Sequence, residues 1–440
     1  MDDAAASTAE AEPELLAVAS RALAAGPVCN HCLGRLVADR SFGLGNDERG
    51  RALRTARALA DDEPYEPADE EDCWVCEGEF ARLEEFAKRA VAALDGYEVA
   101  TYQVGTRVPP LLEENDSLLR SEAGLPEDAG EPMNREFNRE VGKRLGARLP
   151  EDAELDLERP DVLVVLDLAT DEIEPQVNSA FVYGRYRKLE REIPQTKWPC
   201  SDCGGNGLWR GAECEACEGT GYRYGTSVEQ LTTPPVVEAM DGEEAVFHGA
   251  GREDVDALML GTGRPFVIEV KRPRRRDVDT DALEAAINEF ADGRVEVEGL
   301  CRASHGMVER VKQLDADKTY RATVAFDTAV DRGALADALA ELEGATVDQR
   351  TPHRVDQRRA DVVRQRTVLS ASGELAGERE ATVEIRGEGG LYVKELVSGD
   401  EGRTEPSLAG LLGVGAEVTA LDVLAVEGVE PFDDPEFLLE

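Results

Sequence analysis

Apolar residues recur with two different spacings along the first 200 residues. A spacing of three to four positions predicts amphipathic helices, and an unbroken apolar run predicts a strand that is covered on both faces. The predicted helices cover 15–23, 79–94 and 133–148, and the predicted strands cover 97–105 and 162–168. Because the two kinds of element are mixed, the pattern indicates an α/β arrangement over 13–200.

The pattern changes after a stretch rich in glycine and cysteine at 198–222. Short strands are then predicted at 265–270, 319–326, 381–386 and 390–397, with helices near 280–292 and 333–343. Short strands separated by helices are typical of a mixed domain. The predicted fold class is therefore α+β, with an α/β region first and a mixed, largely antiparallel sheet flanked by helices after it.

The chain carries far more acids than bases. Ninety-two Asp and Glu against 49 Lys and Arg give a net charge of −43, which by itself argues against a nucleic-acid-binding surface. Only eight of those bases are lysines. This composition resembles that of proteins adapted to molar salt, where charges are screened within about 3 Å. The net charge therefore reflects the solvent, and local exceptions to it point to the partner.

The sequence offers no membrane anchor. No apolar stretch approaches the ~20 residues that a spanning helix needs, and the acidic N-terminus lacks the regions of a signal peptide. We therefore expect a cytoplasmic protein without a membrane partner, beginning with a disordered acidic tail at 1–12. In a cytoplasm, cysteines are more often metal ligands than disulfides.

Eight of the nine cysteines form Cys-x-x-Cys pairs. One set is Cys29, Cys32, Cys73 and Cys76, and the other is Cys200, Cys203, Cys214 and Cys217. Two residues between thiolates let both sulfurs reach one tetrahedral ion at about 2.3 Å, so we expect two structural zinc sites. Reduced or disulfide-bonded cysteines are the alternative. Cys301 is left over as a buried or free thiol.

Three basic islands interrupt the acidic chain, at 183–197, 271–276 and 350–366. Arginine predominates in them, and its planar guanidinium binds phosphate with two hydrogen bonds. A solvated face paired with acids is the alternative for any one island, but three of them favour RNA as the partner. The candidate RNA-binding residues are Arg185, Arg187, Lys188, Lys271, Arg272, Arg354, Arg358 and Arg359.

The segment 249–266, GAGREDVDALMLGTGRPF, carries the clearest chemical signal. Its Gly-Arg-Glu-Asp resembles the active-site loop of pseudouridine synthases, and the longer motif resembles the archaeal and eukaryotic family that modifies uridines 54 and 55 of the tRNA T-loop. Lys318-Thr319-Tyr320 and the segment 390–396, GLYVKEL, resemble the second and third motifs of that family. The segment 181–198 is similar to the end of its RNA-binding THUMP region.

This resemblance implies five segments along the chain. After the tail they are an N-terminal zinc-knuckle segment at 13–78, a THUMP-like RNA-binding domain at 79–198, a zinc ribbon at 199–225 and a pseudouridine synthase catalytic domain at 226–440. It also implies an isomerase that needs no organic cofactor and acts on the T-arm of tRNA. No obligate protein partner is evident in the sequence, so a monomer is expected, although the sequence does not show the oligomeric state.

The resemblance further assigns roles to site residues. Asp254 is the expected nucleophile, attacking either C1′ or C6 of the uridine, and Lys394 is the cation that keeps it ionised. Alternation along a strand at 390–397 would place Tyr392, Lys394 and Leu396 on one face toward the pocket. Tyr320 would stack on the flipped uracil, and Arg252 would fill the space that it leaves. Tyr392 and Leu396 complete the expected substrate-binding set.

Two other functions stay open at this stage. One is a THUMP-containing tRNA modification enzyme of another chemistry, although the glycine cluster at 387–390 precedes a predicted strand and fits a nucleotide site poorly. The other is a non-catalytic zinc-ribbon RNA-binding protein, for which the 198–222 ribbon speaks.

Overall fold

The computed structural model describes residues 14–352, 361–427 and 437–439. The chain divides into two compact units, Met1–Asn178 and Ser179–Glu440. Helices and strands occur in both, so the predicted α+β class is confirmed. Within the described parts of the chain, no helix is both long and apolar enough to cross a membrane.

Six helices and four strands make up the first unit over its described residues. They are α1 (Leu15–Ala24), α2 (Asn30–Arg35), α3 (Asn46–Asp61), α4 (Leu83–Ala93), β1 (Thr101–Arg107), α5 (Pro110–Glu122), α6 (Met133–Gly146), β2 (Glu154–Leu155), β3 (Val162–Asp167) and β4 (Glu172–Val177). The sheet order is β2-β1-β3-β4, parallel except for β4. Helices α4 and α6 pack together, and α6 also packs on β1. The apolar residues of β3 lie in the same core.

Two glycines let α2 and α3 approach closely. A Cβ atom on Gly34 would lie 1.8 Å from the carbonyl oxygen of Asn46, and one on Gly50 would lie 2.0 Å from that of Asn30. Real side chains cannot occupy such positions, so both residues must be glycine for these helices to pack. This contact was not predicted, because α3 has few apolar residues.

The second unit contains the following elements in its described residues. They are β5 (Ala180–Lys188), β6 (Leu208–Trp209), β7 (Ala212–Glu213), α7 (Val228–Met240), β8 (Glu244–Gly249), β9 (Leu258–Lys271), α8 (Thr280–Ala291), β10 (Val295–Ala303), α9 (Gly306–Lys312), β11 (Lys318–Phe326), α10 (Arg332–Leu342), β12 (Thr346–Arg350), β13 (Val363–Gly377), β14 (Glu380–Gly387), α11 (Val393–Ser398), β15 (Thr404–Glu405), α12 (Leu408–Leu412) and β16 (Ala416–Val426).

One mixed sheet runs through this unit, in the order β10-β5-β9-β16-β11-β14-β13-β12-β15, with β8 paired to β9. All its described neighbours are antiparallel except β9 and β16, which run parallel. Side-chain caps begin several helices: Ser227 accepts from Gln230 N at α7, and Asp279 accepts from Ala282 N at α8. The centre of the sheet, where β9 meets β16 and β11, positions the site.

Two sequence expectations differ from this architecture. The segment 181–198, expected to end the THUMP-like domain, begins with β5, which pairs with β9 and β10 in the second unit. The strand expected at 390–397 is wrong, because Val393–Ser398 is helix α11. Its apolar residues, Val393, Leu396 and Val397, recur at helical spacing and are buried.

Candidate active site

Asp254 lies in the loop between β8 and β9. Gly251 opens the loop with φ +72°, a left-handed conformation that favours glycine. Ala250 N donates a hydrogen bond to Pro265 O (3.0 Å), and Ala257 N donates to Asp254 O (3.1 Å). The loop is thus closed at its start by β9 and at its end by its own backbone.

Lys188, at the end of β5, forms hydrogen bonds with the backbone of this loop. Its ammonium is fully buried and donates to the carbonyl oxygens of Asp254 (3.2 Å), Val255 (3.1 Å) and Ile193 (2.8 Å). Burial lowers the pKa of Lys188, and the carboxylate of Glu253, at 4.0 Å, opposes that shift. A buried lysine therefore fixes the backbone of the residue expected to react.

A buried polar network holds the other side of the loop. The Glu253 carboxylate forms an ion pair with Arg264 (2.9 Å) and accepts a hydrogen bond from the Tyr186 hydroxyl (2.9 Å). Gln195 donates to that hydroxyl (2.8 Å) and to Gly251 O (2.9 Å). Burial, aided by Glu253, raises the pKa of Tyr186 well above its usual value. These groups were not predicted; the charged residues Glu253 and Arg264 inside the glycine-rich 249–266 motif were the signal that could have found two of them.

The Asp254 side chain points toward Lys394. The Lys394 Nζ atom lies 3.1 Å from a carboxylate oxygen of Asp254 and 3.1 Å from one of Asp256. The side chain of Lys394 is 25% exposed and that of Asp254 is 36% exposed, so both remain accessible to a ligand. The resemblance paired these two residues but expected Lys394 on a strand, whereas Lys394 reaches the loop from helix α11.

A cavity of about 530 Å³ opens over this ion pair. Its lining includes the predicted Arg252, Asp254, Tyr320, Tyr392 and Lys394, together with Trp198 and Arg264. These residues come from a loop, a strand and a helix start that are far apart in the sequence. The fold therefore brings five of the six predicted catalytic and substrate-binding residues to the lining of one cavity.

The backbone of Tyr392 is clamped by a buried amide. Gln349 on β12 is 1% exposed; its Oε1 accepts from Tyr392 N (2.8 Å), and its Nε2 donates to Tyr392 O (3.0 Å). Tyr320 sits at the start of β11, half-buried against two parts of the core. Gln349 had no signal in the sequence, because its role depends on a contact 43 residues away.

Leu396 is the exception among the predicted substrate-binding residues. It is fully buried in the core with Val393 and Val397 and does not line the cavity. Its placement was wrong because helix α11 turns positions 394 and 396 to different directions, whereas a strand would have aligned them.

Comparisons with known proteins identify the family. A family model described as "Pus10, C-terminal" matches residues 181–427, and one described as "Pus10 THUMP domain, archaeal" matches residues 86–167. The tRNA pseudouridine synthase Pus10 of Halorubrum lacusprofundi, a haloarchaeon, is 66% identical over 97% of this chain and 100% of its own. The chain belongs to the Pus10 family.

More distant Pus10 relatives also match nearly the whole chain. The tRNA pseudouridine synthase Pus10 of Methanothrix thermoacetophila is 46% identical over 94% of this chain and 95% of its own. A solved structure described as "Crystal Structure of a Cbf5-Nop10-Gar1 Complex" matches 43% of this chain and 42% of that chain, at 18% identity and a TM-score of 0.28. Membership of the Pus10 family confirms the predicted pseudouridine synthase, and the two alternative functions gain no support.

Basic residues of the first island (183–197) of this Pus10 member form hydrogen bonds and ion pairs within the protein. Lys188 is buried and cannot contact RNA, so its prediction as an RNA-binding residue was wrong. Arg185 donates to the carbonyl oxygens of Gly263 (3.1 Å) and Val426 (3.0 Å), and Arg187 pairs with Glu296 (3.0 Å). These arginines keep partly exposed side chains, and their role toward RNA stays a prediction.

The structure describes the second basic island (271–276) and part of the third (350–366). Lys271 pairs with Glu269, and Arg272, more exposed, lies 3.3 Å from Glu243. Lys271 and His248, through hydrogen bonds, lower the pKa of Glu269 to about 2 against the effect of burial. The predicted Arg354, Arg358 and Arg359 lie outside the described residues.

Both predicted cysteine sets come together as groups that can hold a metal ion. In each set the four Sγ atoms lie within 4.8 Å of one another and are buried. Backbone amides point at the sulfurs: Cys32 N donates to Cys29 Sγ (3.3 Å) and Gly221 N donates to Cys217 Sγ (3.3 Å). Four clustered thiols with amide donors are the ligand set that a tetrahedral zinc ion takes. Cys301 is half-buried and belongs to neither group.

Proposed function

We propose that this chain isomerises uridine to pseudouridine at positions 54 and 55 of the tRNA T-loop, with Asp254 as the nucleophile and no organic cofactor. One observation carries the assignment of the site: the Asp254 carboxylate lies 3.1 Å from Lys394 in a cavity that two tyrosines also line. The substrate follows from the relatives that are named tRNA pseudouridine synthases.

The reaction breaks the N1–C1′ bond of uridine and joins C1′ to C5 of the rotated base. The Asp254 carboxylate attacks C1′ or C6 and holds the intermediate while the base turns. The proton on C5 is lost and N1 gains one, so the product is an isomer of the substrate. Lys394 favours the ionised carboxylate before attack, since an opposite charge within 4 Å stabilises it.

The remaining residues of the cavity would hold the substrate. Tyr320 would stack on the flipped uracil, and its hydroxyl would take part in proton transfer at C5. Tyr392, held by Gln349, contacts the base or ribose. Arg252 is exposed at the mouth of the cavity, where it takes the place of the extruded nucleotide in the RNA.

The two cysteine groups would each hold a structural zinc ion. Zinc would cross-link the four sulfurs and offset part of the charge of the four thiolates, and four sulfur ligands would leave no position for a substrate. Cys29, Cys32, Cys73 and Cys76 would hold one ion, and Cys200, Cys203, Cys214 and Cys217 the other. Removal of the metal is then expected to loosen both regions.

We further propose that the protein acts as a monomer in the cytoplasm and grips the T-arm of tRNA. In molar salt, release of counterions contributes little to RNA binding, so recognition depends on shape, stacking and directed arginine hydrogen bonds. Arg185, Arg187, Lys271, Arg272, Arg354, Arg358 and Arg359 are the basic residues proposed for it.

Tritium release from C5-labelled uridine in an unmodified tRNA transcript, at molar KCl, tests this proposal. Asp254→Asn is expected to lower the single-turnover rate by about 10³-fold or more and to leave tRNA binding intact, because only the nucleophile is lost. Asp256→Asn is the matched control, because the Asp256 carboxylate also lies 3.1 Å from Lys394. This variant should keep most of the rate.

Two further transcripts assign the position. Replacing uridine 54 or uridine 55 by cytidine leaves one target in each transcript, and release from both is expected. Release from one transcript alone would restrict the proposal to that position. No release by the wild type, with tRNA bound, would overturn the proposed reaction.

A further inference from the structure

Trp198 belongs both to the cavity wall and to the root of the second cysteine loop. It lines the cavity together with Asp254 and Tyr392, and only Pro199 separates it from Cys200. It was not predicted, because nothing in the sequence links the residue before a zinc ribbon to the loop that carries the nucleophile.

The cysteine loop closes directly on this tryptophan. Arg223 N donates to Trp198 O (2.9 Å), and Cys200 N donates to Gly221 O (2.8 Å). Pro199 and Tyr222 form an isolated antiparallel bridge at the same place. The two ends of the loop are therefore tied together between Trp198 and the buried cysteine group, so the position of the indole depends on a closed loop.

The Trp198 ring carries two guanidinium groups. The Arg252 guanidinium carbon lies 5.2 Å from the ring centroid, and that of Arg223 lies 5.8 Å from it. Tyr224 packs edge-on against the indole at 5.4 Å. Cations within about 6 Å of an aromatic face are attracted by its quadrupole, and tryptophan attracts them most strongly. Arg252, exposed and two residues before Asp254, is thus held by an aromatic platform.

We propose that Trp198 is a positioning residue of the active site. It holds the Arg252 side chain at the mouth of the cavity, oriented to occupy the gap that the flipped uridine leaves in the RNA, and the 200–217 cysteine group holds Trp198 in turn. This inference rests on the proposed function. It also gives the second cysteine loop a task in the reaction beyond folding.

A double-mutant cycle tests whether Trp198 acts through Arg252. Trp198→Leu and Arg252→Leu are each expected to lower the single-turnover rate of tritium release about tenfold. The double variant should be no slower than the slower single variant, because each change removes the same interaction. Trp198→Phe, which keeps an aromatic face, should recover most of the rate. Reductions that multiply in the double variant would overturn the proposal, as would an unchanged rate in Trp198→Leu.

Trp209 supplies the matched control. It lies in the same cysteine loop, is 53% exposed and is not among the residues that line the cavity. Trp209→Leu should therefore keep the wild-type rate. A wild type that releases no tritium would refute the proposed function, and this inference with it; a loss confined to the Trp198 and Arg252 variants leaves the reaction standing.

Fluorescence provides a second readout that does not depend on turnover. The chain has three tryptophans, so Trp74→Phe together with Trp209→Phe leaves Trp198 as the single emitter. Its emission should change on Arg252→Leu and shift to the red when a chelator removes metal. An emission wavelength that does not change when the chelator removes metal would show that the cysteine loop does not hold Trp198, and would overturn that part of the proposal.

Discussion

At the scale of single residues, the site depends on how two lysines are paired. Lys394 faces the cavity, and its ammonium lies 3.1 Å from carboxylates of both Asp254 and Asp256. Lys188 faces inward, and its ammonium reaches three carbonyl oxygens of the supporting loops. One lysine therefore acts on the charge of the nucleophile and the other on its backbone.

Replacing Lys394 by methionine is expected to reduce turnover far more than binding. The change leaves Asp254 without its fixed cation, and loss of one preorganised electrostatic partner lowers rates by about 10²–10³-fold. Single-turnover tritium release and tRNA binding, measured on the same preparation, check this. Lys88→Met is the control and should change neither, because the Lys88 side chain on helix α4 is 68% exposed. An equal loss of binding and rate would contradict the role.

Lys188→Met is expected to lower the free energy of unfolding by about 2–4 kcal/mol, because three carbonyl oxygens lose the Lys188 ammonium as a donor. It should also slow tritium release while tRNA binding persists. Since the pKa of Lys188 is lowered in the folded protein, the unfolded chain binds more protons between that pKa and the ordinary value near 10.4.

The stability of the wild type should therefore rise relative to Lys188→Met as the pH increases through that window. Thermal unfolding of both proteins between pH 7 and pH 10 measures the difference. A difference that stays constant or shrinks with pH would show that the pKa of Lys188 is not lowered.

At the scale of elements, strand β9 links the nucleophile loop to the centre of the sheet. Its first residues, Leu258 and Met259, pair in parallel with Asp422 and Val423 of β16, and its residues 266–271 pair with β8, while β5 pairs with both Met259 and residues 264–270. Gly261 lies between these two regions with φ +54°, where β9 changes neighbour. The conformation of one glycine thus sets the direction in which the loop leaves the sheet.

Gly261→Ala tests this bend. An added Cβ would lie 1.9 Å from the carbonyl oxygen of Leu424, so the strands must separate, and we expect a loss of about 3 kcal/mol in unfolding free energy. Gly293→Ala is the control: it has φ +72°, but no atom of the described residues lies within 4 Å of the added Cβ. Its loss should stay near 1 kcal/mol. Equal losses, in chemical denaturation, would show that crowding at β16 is unimportant.

At the scale of the whole molecule, charge decides the conditions under which the fold is stable. A net charge of −43 repels itself, and molar salt screens that repulsion within about 3 Å, against about 10 Å at 0.1 M. Many of the arginines that the structure describes are paired with acids, as Arg187 is with Glu296 and Glu298. Even if each of the 49 bases were paired with one acid, 43 of the 92 acids would have no basic partner, and their mutual repulsion is strongest in dilute buffer.

Transfer from molar KCl to 0.1 M KCl is expected to lower the melting temperature by at least about 10 °C, because unscreened acids destabilise the compact state. Circular dichroism during thermal unfolding measures it. Sucrose, which does not screen charge, should restore little of the loss at equal osmolality. An unchanged melting temperature would contradict adaptation to high salt.

Local patterns in the sequence predicted the family and much of the secondary structure. The order of the motifs around Asp254, Tyr320 and Lys394 predicted the family, and the Cys-x-x-Cys spacing predicted which thiols cluster, because each motif and each Cys-x-x-Cys pair consists of residues close together in the chain. The helices near 280–292 and 333–343 were predicted for the same reason, since their apolar spacing is local.

Which charges are buried, and which side chains contact one another, depends on the three-dimensional fold. Lys188 looked like an RNA contact, but β5 pairs with β9, and this brings its buried ammonium to carbonyl oxygens distant in sequence. Arg185 also donates to a distant carbonyl oxygen, that of Val426, and its role toward RNA stays a prediction. Lys394 reached its expected partner from a helix, and Gln349 and Trp198 had no signal at all. The physical reason is that a side chain's role is fixed by the groups that it contacts, and long-range pairing of strands sets those contacts.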